Sequence, residues 1–210
     1  VQVESYIEML APYNDVLAFE GVEAFSHLWL VWQFHDNKNP EKNQFRPQVR
    51  PPRLGGNKKI GVFATRSMYR PSPIGLSVVK LKCVKKEGRS VRVYVTGSDL
   101  LDGTPIVDIK PYIHYSDAVI DAVSGYAQDE PNRKSVIWSD RAIEQKQQLL
   151  TSGKLSVQTA QELEAVLSLD PRPAYQDDEA RVYKMKFAAV DIAFTVGDTT
   201  VNITAVELET

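Results

Sequence analysis

Apolar and polar residues alternate along much of this chain with the period of two that marks a half-buried strand. Val79, Leu81 and Cys83 alternate with Lys80 and Lys82, and beyond a Lys86–Arg89 turn Val91, Val93 and Val95 alternate with Arg92, Tyr94 and Thr96. This pattern predicts a β-hairpin. The run His27–His35 (HLWLVWQFH) is apolar at both alternating sets of positions and rich in aromatics, as expected of a strand buried in the middle of a sheet. Shorter strands are expected at Ser5–Leu10, Ile60–Thr65 and Ile106–Ile109, and Asp15 is placed to cap a helical turn that ends at Gly21. Closely spaced strands without long helices predict a small antiparallel β-barrel for residues 1–118.

The period changes further on. Helical spacing is read over Ser135–Leu150 and again over Ser156–Leu169, where Ser156 is a candidate N-cap and Ala160, Leu163 and Leu167 fall on one face. Asp170-Pro171 should stop that helix, because the residue before proline avoids the α region. Three strands are expected at Arg181–Phe187, Asp191–Val196 and Val201–Leu208, with Gly197-Asp198 turning the last two. Residues 119–210 thus read as a smaller α+β domain. The whole is mainly β with an α+β second part.

With 210 residues and 43% apolar content the chain can bury a sizeable core. One cysteine, Cys83, excludes an internal disulfide and fits a reducing compartment. The longest apolar run, Leu28–Trp32, is too short to span a bilayer, and no signal peptide is read at the N-terminus. A cytoplasmic protein without membrane contact is the expectation.

Charge changes the picture. The chain carries a net −2, yet Lys42–Lys86 holds twelve of the 25 Lys and Arg residues and no Asp or Glu. Val1–Glu41, by contrast, has seven acidic residues and one Lys. Within the basic window, prolines 47, 51, 52, 71 and 73 fix φ and hold arginine forks in rigid loops, an arrangement suited to phosphate or carboxylate. An anionic partner is expected.

Familiar catalytic motifs are absent. There is no G-x-G-x-x-G after a strand, no Walker A loop, no cysteine pair and no G-x-S-x-G elbow. His27 and His35 share one side of a strand without an obvious third ligand, so no metal is expected. Two loops, Ala64–Gly75 and Ser98–Lys110, join apolar residues to Gly- and Pro-exposed backbone and a few charges, the usual make-up of a small-molecule pocket.

The motifs EAFSHLWL, RPPRLGG, GVFATRSMYRPSPIGLS and GSDLLDGTPIVDIKPY closely resemble the TsaA-like family, also called YaeB or TrmO. The later DPRPAY (Asp170–Tyr175) resembles the C-terminal domain of its bacterial members. The resemblance implies an S-adenosyl-L-methionine-dependent methyltransferase that acts on the exocyclic amino nitrogen of threonylcarbamoyl-adenosine at tRNA position 37. It also implies a β-barrel cofactor domain and a homodimer. By motif position, the cofactor contacts are expected on His35, Asp36, Asn37, Arg70, Leu81, Asp99, Leu100, Leu101, Asp102 and Gly103. Family members begin with an I-G-x-I-x-S-P-Y segment and a basic stretch that touches the cofactor. That segment is not visible in this sequence, and its share of the pocket is expected to be missing or disordered.

Asp102 or Asp99 could serve as general base or as electrostatic partner of the sulfonium, and Asp102 could equally just hold its turn. Arg50, Arg53 and Arg66 are expected on tRNA phosphates. Asp170, Arg172 and Tyr175 are expected at the modified adenosine, with Arg172 forked onto its carboxylate and Tyr175 stacked on a base. The plain alternative for DPRPAY is a helix stop. The competing function is a non-catalytic RNA-binding module of the same fold.

Overall fold

The computed structural model describes residues 3–36, 45–54, 56–172 and 178–208. They divide into two compact units that meet in the chain at Val123 and Ser124.

The first unit is built on one five-stranded antiparallel sheet. Its strands are β1 (Glu4–Met9), β2 (His27–Gln33), β5 (Ile74–Glu87), β6 (Ser90–Thr96) and β7 (Ile106–Pro111), in the order β1-β6-β5-β2-β7. The short strands β3 (Gln48–Val49) and β4 (Ile60–Gly61) pair only with each other. The barrel expectation is corrected here: β1 pairs with β6, β7 pairs with β2, and the two edges do not meet among the described residues. Alternation reports which face of a strand is buried, and an open sheet covered on one face has the same alternation as a closed one.

The covered face is the one the hairpin pattern indicates. Val79, Val91, Val93 and Val95 are at most 1% exposed, and Leu28 and Leu30 of the central β2 join them at 0%. Phe19, Val22 and Leu100 pack over this layer from turns. Asp15 caps the first of those turns, its carboxylate accepting the N–H of Leu17 at 3.0 Å. The expected strand Ile60–Thr65 is shorter than its apolar run: only Ile60–Gly61 pairs, and Val62–Ala64 coils into a 3-10 turn that buries Val62. A short helix, α1 (His114–Asp117), follows β7.

The second unit has a four-stranded sheet in the order β8-β11-β10-β9, made by β8 (Ser135–Trp138), β9 (Tyr183–Phe187), β10 (Val190–Val196) and β11 (Thr200–Leu208). Helices α2 (Asp140–Thr151) and α3 (Val157–Leu167) contribute Ala142, Leu149, Ala160, Leu163 and Leu167 to its core. The helix read over Ser135–Leu150 proves to be two elements. Ser135–Trp138 is a strand pairing parallel to β11, and Ser139 caps the helix proper by accepting the N–H of Ala142. Pairing with β11 overrides helical spacing in those four residues. Ser156 caps α3 as expected, accepting the N–H of Thr159 at 2.9 Å.

Candidate cofactor and substrate site

Three segments converge where β2 ends. The N–H of Gln33 donates to the carbonyl of Pro105, and that of Phe34 donates to the carbonyl of Pro73. The chain leaving β2 is therefore held between the 97–105 loop and the Arg70–Pro73 turn. These are the two loops singled out in the sequence, and the exit of β2 lies between them.

A chain of hydrogen bonds runs through this point. The Trp32 indole N–H donates to Ser77 Oγ at 3.1 Å, and Ser77 Oγ donates to Asp99 Oδ1 at 3.0 Å. Indole nitrogen can only donate, and serine has one proton. With its lone pair engaged by Trp32, the Ser77 hydroxyl points its proton at Asp99, where it suits a carboxylate. Gly75 makes room for the indole: it lies opposite Trp32 in the β2–β5 register. A Cβ there would run into the indole ring, so no other residue fits without displacing Trp32. Phe34 then packs edge-on against Trp32 with centroids 4.5 Å apart.

Asp102 is held differently. Its turn is closed by Thr104, whose N–H and hydroxyl both donate to the carbonyl of Leu101, and Gly103 supplies the required φ of 74°. Among the described residues the Asp102 carboxylate makes no hydrogen bond or ion pair, and it is exposed. The N–H groups of Asp102 and Gly103 donate to no protein acceptor among the described residues.

The other expected cofactor residues are placed as follows. His35 and Asp36 are exposed just beyond β2, and Asn37 lies outside the described residues. Leu100 is half-buried against the core and Leu101 is 63% exposed. The Leu81 side chain is in the core, 8% exposed, and its N–H donates to the carbonyl of Ser26. Arg70 is engaged by its own loop. Its Nη1 donates to the carbonyl of Thr65 at 2.6 Å and to that of Val62 at 3.3 Å. That guanidinium fixes the 62–65 turn whatever else it touches.

Arg50, Arg53 and Arg66 are all exposed, as phosphate-binding residues must be. Asp170 and Arg172 meet in the second unit. Arg172 Nε donates to the Asp170 carboxylate, 3.0 Å from Oδ1 and 3.1 Å from Oδ2, and both side chains are mostly buried. Lys134 Nζ stands 3.6 Å from the same carboxylate and donates to the carbonyls of Gly197 and Asp198 at 2.7 Å. Asp170 sits at φ 54°, a left-handed value that Asp enters more readily than most residues. The helix itself ends earlier, at Leu167 with Ser168 as C-cap. Tyr175 lies outside the described residues.

Trp32 and Ser77 are site residues that the sequence reading did not single out. Ser77 was the available signal: it is a lone hydroxyl on the apolar-facing set of β5 positions, Ser77, Val79 and Leu81, next to a loop.

An open, mainly antiparallel sheet with a hydrogen-bonded carboxylate and a glycine turn at one end is neither a Rossmann nor a P-loop site. The chain matches the tRNA-methyltransferase O N-terminal domain over residues 1–118 and the TrmO C-terminal domain over residues 131–209. It is 41% identical over 203 residues to a tRNA (adenine(37)-N6)-methyltransferase of Escherichia coli (strain K12), covering 96% of this chain and 84% of that relative. A relative of the same description from Eikenella corrodens is 43% identical over 173 residues, covering 82% of this chain and 92% of its own. A crystal structure of TrmO from Pseudomonas aeruginosa superposes with a TM-score of 0.74 at 33% identity, covering 97% of this chain and 84% of the other. The chain belongs to the tRNA-methyltransferase O family.

Proposed function

We propose that this chain transfers a methyl group from S-adenosyl-L-methionine to the exocyclic N6 nitrogen of adenosine 37 in tRNA. The observation that carries this reading is the 41% identity to the Escherichia coli tRNA (adenine(37)-N6)-methyltransferase over nearly the whole chain. The family resemblance narrows the acceptor to the threonylcarbamoyl form of that adenosine.

The site residues fit the cofactor. A sulfonium is a cation, and Asp99 offers an exposed carboxylate whose direction Ser77 fixes. The exposed Leu101 side chain gives apolar surface, and the N–H groups of Asp102 and Gly103, without an acceptor among the described residues, are assigned to a ligand's acceptors. When bound, S-adenosylmethionine supplies a methyl group already activated for transfer. The chain's own contribution is then alignment and charge, and no nucleophilic side chain is needed. Asp99, committed to Ser77 through one oxygen, acts as the fixed anion. Asp102, exposed and without a hydrogen bond among the described residues, is assigned the role of accepting a proton from the delocalised, amide-like nitrogen of the substrate.

His35, Asp36 and Asn37, the loop Asp99–Gly103 and Arg70 are assigned to the cofactor. For Leu81 only the backbone is a candidate contact. Arg50, Arg53 and Arg66 are assigned to tRNA phosphates, and the second unit, with Asp170, Arg172 and Tyr175, to the modified nucleoside. Two copies pairing into a homodimer in the cytoplasm complete the reading. Leu76, 50% exposed, and Val78, 38% exposed, lie on the outer face of the sheet beside Val31 and Trp29. That is apolar area suited to a second copy. Among the described residues no helix is long and apolar enough to cross a membrane.

Calorimetric titration with S-adenosylmethionine separates the enzyme from a binding module that lacks a pocket. Heat and a thermal shift are expected. Their absence, with tRNA binding retained, would favour the non-catalytic module.

A further inference from the structure

We propose that Phe45 and Phe63 form a stacking platform for an unpaired nucleobase of the RNA. This rests on the reading of the chain as a tRNA-acting protein and adds a base-binding site to it.

Two phenylalanines stand out of the basic window into solvent. Phe63 is 69% exposed and Phe45 is 50% exposed. Their rings pair with centroids 6.2 Å apart and planes 33° apart, so together they offer a broad π surface. The exposure is built into the turn. Val62 is 1% exposed and anchors the 3-10 turn Val62–Ala64, which leaves its neighbour outside. The turn is fastened by Arg70 Nη1 and by the Thr65 hydroxyl, which donates to the Val62 carbonyl at 2.8 Å. Phe63 is thus displayed on a fixed mount.

The surroundings choose the occupant. The Arg70 guanidinium lies 5.6 Å from the centre of the Phe63 ring, and that of Arg46 lies 4.1 Å over Tyr69. Arg46 is also tied to Tyr69 through its N–H. No Asp or Glu occurs between Lys42 and Lys86. Aromatic faces set among guanidinium groups, without acids, suit bases carried on a phosphate backbone. Unpaired bases in an RNA loop are stacked in this way on aromatic side chains. An apolar protein partner would gain nothing from the surrounding positive charge.

The test uses the full chain and an anticodon stem-loop RNA with 2-aminopurine in the loop. Wild type should quench the fluorescence on binding. Phe63→Ala should remove the quench and weaken binding about tenfold or more, as loss of one stacked base does. The salt slope should be unchanged, because no phosphate contact is lost. Phe63→Trp should retain both signals, and Phe45→Ala, outside the turn, should repeat the loss if Phe63→Ala proves unstable. Wild-type quench and affinity in both alanine variants would overturn the platform. The tRNA reading would then still stand if Arg50→Ala with Arg53→Ala lowers the salt slope. A wild-type chain that binds no stem-loop would overturn both. Loss of self-association in Phe63→Ala with RNA affinity intact would make the pair a contact between copies, and would also overturn it.

Discussion

The Ser77 hydroxyl donates a hydrogen bond to Asp99 Oδ1 at 3.0 Å while its oxygen accepts the indole N–H of Trp32 at 3.1 Å. The direction of both bonds follows from indole being a donor only. The pair joins a rigid strand to a loop, so removing the hydroxyl should loosen the loop's carboxylate without unfolding the sheet. Ser77→Ala is expected to weaken S-adenosylmethionine binding by up to roughly 1.5–3 kcal/mol, the usual worth of a hydrogen bond to a charged group. Ser77→Thr should restore part of it. Calorimetry on the three proteins reads this directly, and equal affinities would separate Asp99 from the cofactor.

The two aspartates of the 97–105 loop should fail in different ways. Asp99→Asn is expected to raise the cofactor Kd, because the fixed anion is lost. Asp102→Asn should leave cofactor binding near wild type and lower the rate of methyl transfer by about 100-fold or more, the ordinary contribution of a general base. Single-turnover rates with pre-bound cofactor separate the outcomes. A normal rate in Asp102→Asn would remove Asp102 from the chemistry.

How much of this was legible in the sequence differs by feature. The hairpin, the central aromatic strand and the cap at Ser156 were readable because alternation and capping are local. The open sheet was not, since closure depends on whether two edge strands meet. Ser135–Trp138 is a strand because β11 lies beside it, which helical spacing cannot register. The loop carrying Asp99 and Asp102 was found by its glycines and charges. Its partners Trp32 and Ser77 come from strands 45 positions apart, and only the β2–β5 register brings them together.

Arg172 shows the limit of reading a motif. Two flanking prolines make it look displayed, yet its Nε is on the mostly buried Asp170 carboxylate. That carboxylate also faces Lys134, which grips the β10–β11 turn. Arg172→Ala is therefore expected to destabilise the second unit by roughly 1–3 kcal/mol, the cost of a buried acceptor losing its donor. The proposed role at the nucleoside requires activity per folded molecule to fall as well. Melting curves read beside specific activity distinguish a purely structural corner, where only stability changes.

Asp117 gives a pH-dependent test of the first unit. It accepts the Ile113 N–H at 2.8 Å and the Trp29 indole N–H at 2.9 Å. These bonds to its charged form, the Ile113 one foremost, hold its carboxyl below the usual value. Their stabilisation is complete above the ordinary carboxylate range and is lost as pH falls through the lowered folded value. Asp117→Asn should melt earlier than wild type at neutral pH, and the gap should begin to narrow as pH falls below about 4 and close beneath the lowered folded value. A gap that stays constant with pH would mean that charge plays no part in the contact.

The central claim, methyl transfer to a modified tRNA adenosine, is tested by one incubation. The chain is mixed with methyl-labelled S-adenosylmethionine and with tRNA carrying or lacking the threonylcarbamoyl group at position 37, and the RNA is digested to nucleosides. Label is expected only in the sample with the modified tRNA, in a nucleoside heavier by one methyl on N6 of threonylcarbamoyl-adenosine. Label in neither tRNA, from protein that binds the cofactor, or label in a different nucleoside, would contradict the claim.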